Sequence, residues 1–480
     1  MPLQLSSLPI STPYDPAADA MGSADPLGTL GGSERLAEVI LPGLTARMWR
    51  ARLLTFAVVS ADIADRVVRQ QGDQEDLRLR ARLAFERMFV ASLVRCEEDE
   101  PDMYSGVSRR IPGRRTARRA LHSDDEPLTR QNFIKGQAVN GPSGIMARLA
   151  RALGLLGDEG QIASQGHDLR SCWARRAAAD EEMEPDIGGE FHKKALRAVL
   201  DHLEKDDWPK SNAPIWKLLA DSLRPDRIPA AERKIIFQFL NTEPQYGIRP
   251  RVLQLLLDER CQAVYRHVQD ATSRGEIERR VLVEGIMQLL GTGDVDAHIS
   301  LAIRAIDAYE QFSELFTAAF DVVLSGLRAN GGSASSAQLL QKGKLTAILI
   351  QLRARLVKVV PLLRDLLPTM VSRGPFDDQD IPELMTTILQ DTERGAVSVE
   401  GLLEGVFARH ERVQRDKRKP TWVDRSTSWT LMPGTPVSDD LWHDRPAAFI
   451  HPYRVVNAYS LMFDLKLLKG GRANGQDEGE

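Results

Sequence analysis

The sequence predicts an all-α, mainly helical, multi-domain protein, and three observations carry the prediction. Apolar residues recur three and four positions apart over long stretches, the spacing of one helix face. Proline and glycine punctuate the chain at ordinary helix lengths. Residues 416–455 look different, with short Val, Thr and Ile stretches that suit at most a small irregular or two-stranded segment.

Residues 1–33 are rich in Pro, Ser, Gly, Ala and Asp without an apolar period, which predicts a disordered tail or extended arm. A helix is expected to start near Ser33. Leu41-Pro42-Gly43-Leu44-Thr45 reads as a turn. Ala46–Arg69 reads as a helix with Leu53, Phe56, Ala57, Ser60, Ile63, Ala64 and Val67 on one face, and Leu77–Val94 repeats the pattern. These two are expected to pack as a hairpin. Residues 96–127 change character, with an acidic cluster (Glu97, Glu98, Asp99, Glu100), a basic run and a second acidic cluster (Asp124, Asp125, Glu126). They read as a loop or mobile insertion. Thr129–Leu156 reads as helix, turn, helix, with the turn at residues 140–144 and Ile145, Leu149, Ala152, Leu153 and Leu156 as the second stripe. This is the layout of a winged-helix-like part. Together these elements form an N-terminal helical domain over residues 34–185.

A middle helical domain is expected over 186–330, its helices broken at Trp208-Pro209, Arg224-Pro225, Glu243-Pro244, Arg274-Gly275 and Gly291-Thr292-Gly293. No fixed repeat is visible. Residues 331–337, rich in Gly and Ser, read as a linker. The C-terminal helical region over 338–468 holds a long helix at 338–371, broken or kinked at Pro361, and further helices within Ile381–His410. A small irregular or two-stranded segment with Trp422, Trp429 and Trp442 follows, and then a final helix over Val455–Leu468. Residues 469–480 read as a disordered tail.

Hydrophobic residues make up 42% and charged residues 27% of the 480, enough for a substantial core without disulfides or metals. The net charge of -4 excludes a polycation, so any nucleic-acid contact must come from a local basic patch. Cys96, Cys172 and Cys261 are far apart and form no CxxC pair, which argues against a disulfide framework or zinc knuckle and for a reducing cytosol. No secretory signal and no run of about 18 apolar residues is visible, so a cytoplasmic protein without membrane contact is expected.

Catalytic motifs are missing: there is no phosphate-binding G-x-x-x-x-G-K-[ST] loop, G-x-S-x-G elbow, H-E-x-x-H helix or kinase loop set. His192-Lys193-Lys194 resembles the start of a phospholipase-type nuclease motif, but Val199 stands where that motif needs Asp. His443 and His451, with Asp440 and Asp444 nearby, suit packing or capping better than a metal. Asp377, Asp378, Asp380 and Glu383 lack the spacing of a calcium loop. The expectation is a non-enzyme with no cofactor and no metal.

The basic run is the strongest local feature. Arg109, Arg110, Arg114, Arg115, Arg118 and Arg119 crowd together with no acid between them. Guanidinium groups at this density need facing carboxylates or a polyanion to neutralise them. A solvated loop paired with the flanking acidic clusters outweighs a phosphate backbone as the reading of the run alone. Arg148 and Arg151 lie on the second helix of the 129–156 segment, whose N-terminus would favour a phosphate. These eight arginines are the candidate contacts for nucleic acid or an acidic partner. Trp422, Trp429, Trp442, Tyr453 and Tyr459 suit a satellite hydrophobic cluster better than a base-stacking surface.

Leu41-Pro42-Gly43-Leu44-Thr45 followed by Arg50-Ala51-Arg52-Leu53-Leu54-Thr55-Phe56, together with the glycine-containing stretch from Gly141 to Leu156, resembles the opening of certain uncharacterised helical bacterial proteins. Their genes neighbour phage-defence or DNA-modification clusters. The resemblance covers about the first third of the chain and includes no catalytic residue. It implies a context, defence against foreign DNA alongside co-encoded protein partners, and no chemistry. The functional expectation is a non-catalytic subunit of a bacterial multi-protein DNA-targeting defence or DNA-processing system, contacting DNA, partner proteins or both. Two alternatives stand beside it: a pure protein-interaction scaffold, and an enzyme whose site is dispersed, for example around His443, His451 and Asp464.

Overall fold

The computed structural model describes residues 25–72, 76–123, 126–175, 187–205, 208–242, 247–268, 273–372, 390, 398–435, 437 and 449–468. Residues 1–24 and 469–480 of the expected tails lie outside them, and residues 25–33 are not a tail: a helix begins at Thr29, and Leu27, Thr29 and Ser33 are buried. Among the described residues the chain is helical almost throughout, with one small sheet, which is the all-α class that the apolar periodicity predicts.

In chain order the helices are α1 (Thr29–Ile40), α2 (Leu53–Gln71), α3 (Leu77–Asp99), α4 (Pro101–Tyr104), α5 (Arg114–His122), α6 (Gln137–Asn140), α7 (Gly144–Ala152), α8 (Ser164–Arg175), α9 (Ile187–Lys205) and α10 (Ile215–Leu223). There follow α11 (Ala230–Leu240), α12 (Ile248–Leu257), α13 (Glu259–Val268), α14 (Arg274–Arg280), α15 (Asp294–Ala329), α16 (Ser336–Leu340), α17 (Gly343–Ser372), α18 (Val399–Asp416) and α19 (Val455–Asp464). The strands are β1 (Ser333–Ala334), β2 (Val423–Asp424) and β3 (Trp429–Leu431), ordered β1-β3-β2 and antiparallel throughout.

The chain divides into two compact units. One comprises Ile40–Asp296 and the segment from Arg454; the other comprises the segment up to Val39 and Ala297–Tyr453. The sequence placed its boundaries elsewhere, at 185/186 and around a linker over 331–337. That stretch instead carries β1 and the start of α16. Ser333 and Ala334 pair with Thr430 and Trp429, and Ser335 and Gln338 form a reciprocal capping box that starts α16.

In the first unit the expected hairpin is the core. α3 packs against α2, α5, α9 and α10, and its residues from Leu83 to Cys96 are all buried. A helix covered on every side needs apolar groups around its whole circumference. Here Phe85 and Phe89 stack on Phe56 of α2, with ring centroids 5.7 Å and 4.1 Å away. Residues 46–52, expected as the first turns of α2, are turns instead. Their backbone groups are taken by the returning α19: the Asn457 amide donates to the Ala46 and Met48 carbonyls at 3.0 Å and 2.9 Å, and Asp464 accepts the Ala51 N–H at 3.0 Å. Buried Arg249 donates to the carbonyls of Leu240, Thr242 and Pro42, which fixes the expected turn at Leu41-Pro42. Buried Arg52 pairs with Glu232 at 3.0 Å and donates to the Arg224 and Ser222 carbonyls, and Glu232 also accepts the Thr55 hydroxyl at 2.7 Å, so both charges are hydrogen-bonded beyond the pair itself.

In the second unit α17 runs unbroken through Pro361, where a break or kink was expected. Leu349, Leu352, Leu356, Val359, Val360 and Leu363 of α17 are buried, as core residues should be. The Trp-rich segment carries β2 and β3, and β1 adds a third strand. Trp422 and Trp429 are buried around Phe320, Phe407 and His410, a satellite cluster rather than a stacking surface. Trp442 lies outside the described residues.

Candidate nucleic-acid interface

The basic run is a loop only in its first part: Arg109 and Arg110 lie in the turns over 105–113, and the rest is helical. α3 continues to Asp99, the short α4 follows, and Arg114–His122 form α5. Ala117 and Ala120 are the buried positions of α5, three residues apart, and their small side chains let it lie close against α3. Gly113 precedes α5 with φ +84°, and a Cβ there would fall 2.2 Å from the Phe133 ring, so both the backbone and the space demand glycine.

Glu97, near the end of α3, organises the segment. One of its oxygens accepts the Gly106 N–H at 3.0 Å and faces Arg114 Nη2 at 3.5 Å. The other accepts the Ser108 hydroxyl and faces Arg118 Nη2 at 3.3 Å. Arg114 Nε also donates to Ser108 Oγ at 2.8 Å. Arg118 Nε reaches Glu98 at 3.1 Å, and His122 lies 3.8 Å from the same carboxylate. The flanking acidic cluster thus neutralises Arg114 and Arg118. Asp124 and Asp125 lie outside the described residues.

Arg115 and Arg119 are different. They are exposed on the outer side of α5 and have no ion-pair partner among the described residues. Arg109 is exposed, and its carbonyl accepts Arg50 Nε at 3.3 Å. Arg110 adopts φ +62°, which costs a non-glycine residue about 1 kcal/mol. Its guanidinium lies 4.5 Å from the centre of the Trp49 ring, and that of Arg274 lies 5.1 Å from the same centre. The sequence reading passed over Trp49 and Arg274, because cation–π partners 61 and 225 residues apart from one another in the chain leave no local signal.

The structure does not gather all eight arginines. Arg148 is half-buried and Arg151 exposed, both on α7. α7 packs on α2 and α6, and Arg151 lies close enough to Arg82 of α3 to depress its pKa after burial itself. Arg82 is fifteen residues before Glu97 on α3, a rise of about 22 Å. Two basic regions therefore sit along one helix, with Arg114 and Arg118 at one end and Arg151 towards the other.

The 129–156 segment also departs from its expected layout. Residues 129–136 are not helical, α6 is a single turn, and the described neighbourhood holds only an isolated Leu156–Ile162 bridge where a wing would need strands. The N-terminus of α7, which would favour a phosphate, is already occupied by a carboxylate of the chain itself. Fully buried Glu86 accepts the Ser143 N–H at 3.0 Å, the Ser143 hydroxyl and the Gln137 amide at 2.9 Å. Burial pushes the Glu86 carboxyl up, and these bonds oppose the shift. α7 is thereby fixed to the core.

Beside α5 an open polar cleft of about 370 Å³ is lined by Arg95, Glu98, Asp99, Leu121, Ser211 and Asn212. Its two carboxylates favour neither an anion nor a reaction centre. Elsewhere, titratable clusters are closed. His192 Nε2 lies 2.7 Å from Asp62, which also pairs with Arg66 and Arg170, each at 3.0 Å. Burial acts to raise the Asp62 pKa, but its hydrogen bonds to His192 and Arg66 hold it well below the usual carboxylate range. His451 Nδ1 lies 2.6 Å from Glu310, which also accepts the Tyr453 hydroxyl. Asp464 belongs to the other unit and faces Arg50 at 3.8 Å, and His443 with Asp440 and Asp444 lies outside the described residues, as do Asp377, Asp378, Asp380 and Glu383. Among the described residues no group of three His, Cys, Asp or Glu is placed to hold a metal ion, and no helix is long and apolar enough to cross a membrane.

No protein family, no curated protein and no solved structure matches this chain.

Proposed function

We propose that this chain is a non-catalytic subunit of a bacterial multi-protein DNA-targeting defence or DNA-processing system, and that it contacts the DNA backbone through α5 and the adjoining turn. The observation that supports this reading most is the division of the arginines. Arg114 and Arg118 are spent on Glu97 and Glu98, while Arg115 and Arg119 stand outward on a helix anchored to the core. Phosphate is the ligand such an array suits, since each neutralised phosphate releases condensed counterions. Trp49, flanked by Arg110 and Arg274, adds an aromatic face to the same unit. The defence context comes from the resemblance of the first third of the chain.

The test is fluorescence anisotropy of the purified chain with double- and single-stranded DNA at 50 mM and 200 mM salt. Salt-sensitive binding that is lost when the six arginines from Arg109 to Arg119 become Ala supports the reading; binding that survives the change removes the assignment of the run. A second reading, a protein-interaction scaffold, draws support from the carboxylates already woven into α5. It expects a stable complex with a co-encoded protein and no DNA affinity at either salt concentration.

A further inference from the structure

α17 carries two apolar stripes, and its inward one is core. The outward one consists of Gly343, Ala347, Ile350, Ala354, Val357 and Pro361, all exposed, with Ile350 56% and Val357 72% accessible. Their spacing is four, three, four, three, four, which is the a/d seam of a coiled coil maintained over about 27 Å of helix. A solvated helix face has no physical reason to hold that period or to lack charge along it. We propose that this seam docks an amphipathic helix of a partner protein whose flanking positions are acidic.

The flanks decide the occupant. With the seam at a and d, the e and g positions include Lys344, Gln351, Arg353 and Lys358, with Asp365 the sole acid, beyond the end of the seam. A second copy of this chain is disfavoured in either orientation. Parallel pairing sets Arg353 of one copy against Lys358 of the other. Antiparallel pairing, with Ala347 over Val357 and Ile350 over Ala354, sets Lys344 against Lys358 and Arg353 against its own counterpart. Like charges at these positions select against pairing. A lipid surface is disfavoured because the seam is built of Gly, Ala, Val, Ile and Pro, without the aromatic and Leu residues that anchor interfacial helices. The small residues Gly343, Ala347 and Ala354 instead leave hollows beside Ile350 and Val357 that would seat the larger knobs of a facing helix. Glutamates on that helix would meet Arg353 and Lys358.

The experiment uses the full chain and two fluorescein-labelled synthetic peptides of four heptads. Both carry Leu at a and d; one carries Glu at e and g, the other Lys. The acidic peptide is expected to bind, to weaken at least tenfold between 50 mM and 500 mM salt, and to lose at least tenfold in affinity with Ile350→Glu or Val357→Glu. The double variant Arg353→Glu/Lys358→Glu should reverse the preference towards the Lys peptide. All four positions are exposed, so circular dichroism should report an unchanged fold. Equal affinity for the two peptides, or none for either, overturns the proposal. So does a concentration-dependent dimer in sedimentation that Val357→Glu abolishes, or binding to phosphatidylserine vesicles without binding to the peptide.

Discussion

Two double variants of α5 separate a DNA-contacting role from a structural one. Arg115→Ala/Arg119→Ala removes two outward charges that have no acidic partner among the described residues. If both contact phosphate, the slope of log affinity against log salt should fall in magnitude by about 1.8, from about 0.9 per phosphate. Over a fourfold rise in salt, the parent chain should then lose about 12-fold more affinity than the variant. Stability should change by less than about 0.5 kcal/mol, as for other surface positions. Arg114→Ala/Arg118→Ala should do the reverse. Glu97 is largely buried at its side chain and would keep only the Gly106 and Ser108 contacts. Unfolding free energy should drop by about 1–3 kcal/mol, while the salt slope stays near that of the parent. Anisotropy titrations of a 20-base-pair duplex at 50, 100 and 200 mM salt, with urea unfolding of the same preparations, give both quantities. An unchanged slope in the Arg115/Arg119 variant, or equal slope losses in the two variants, would refute the division of the arginines by role.

Three further outcomes follow from Glu86, His410 and Gly113. Glu86→Ala should destabilise by about 2–4 kcal/mol in urea unfolding, because Ser143, Gln137 and the start of α7 lose their buried acceptor; Glu86→Gln should cost less, and equal costs would show that the acceptor is dispensable. Burial pushes the His410 pKa down to about 4, and its ring accepts the Trp422 N–H at 3.0 Å in the neutral form. The unfolded chain therefore binds more protons between pH 6.5 and about 4. Stability from this group is complete above 6.5 and falls by about 3 kcal/mol as pH drops through that window. Urea unfolding at pH 4.5 and 7 should show the fall, and His410→Phe should flatten it. Gly113→Ala should lower stability by about 1–3 kcal/mol and displace Phe133, since it meets both a positive φ and an occupied space; a crystal structure or amide-exchange map of the variant in which α5 is undisturbed would contradict this.

The helical class and the α2–α3 hairpin were legible in the amino-acid sequence alone. Each rests on local periodicity, which shows within about a dozen residues of a helical segment. The sequence also located the basic run and supplied both candidate neutralisers. Tertiary structure decided everything that depends on distant partners. The acidic end of α3 converts the supposed insertion into helix α5 and uses up two of its arginines. Glu86, the one acid of α3 before Glu97, closes the α7 terminus that the sequence left open to phosphate. α19 returns to take the backbone groups of residues 46–52, so α2 begins later than its apolar pattern suggests. The unit boundaries fall at 39/40, 296/297 and 453/454 and not at the glycine-rich stretch, because pairing of Ser333 and Ala334 with β3 outweighs the flexibility their neighbours would allow. Hydrogen bonds and ion pairs between groups on different elements have no period and no composition, and so leave no trace in sequence until the fold has brought their partners together.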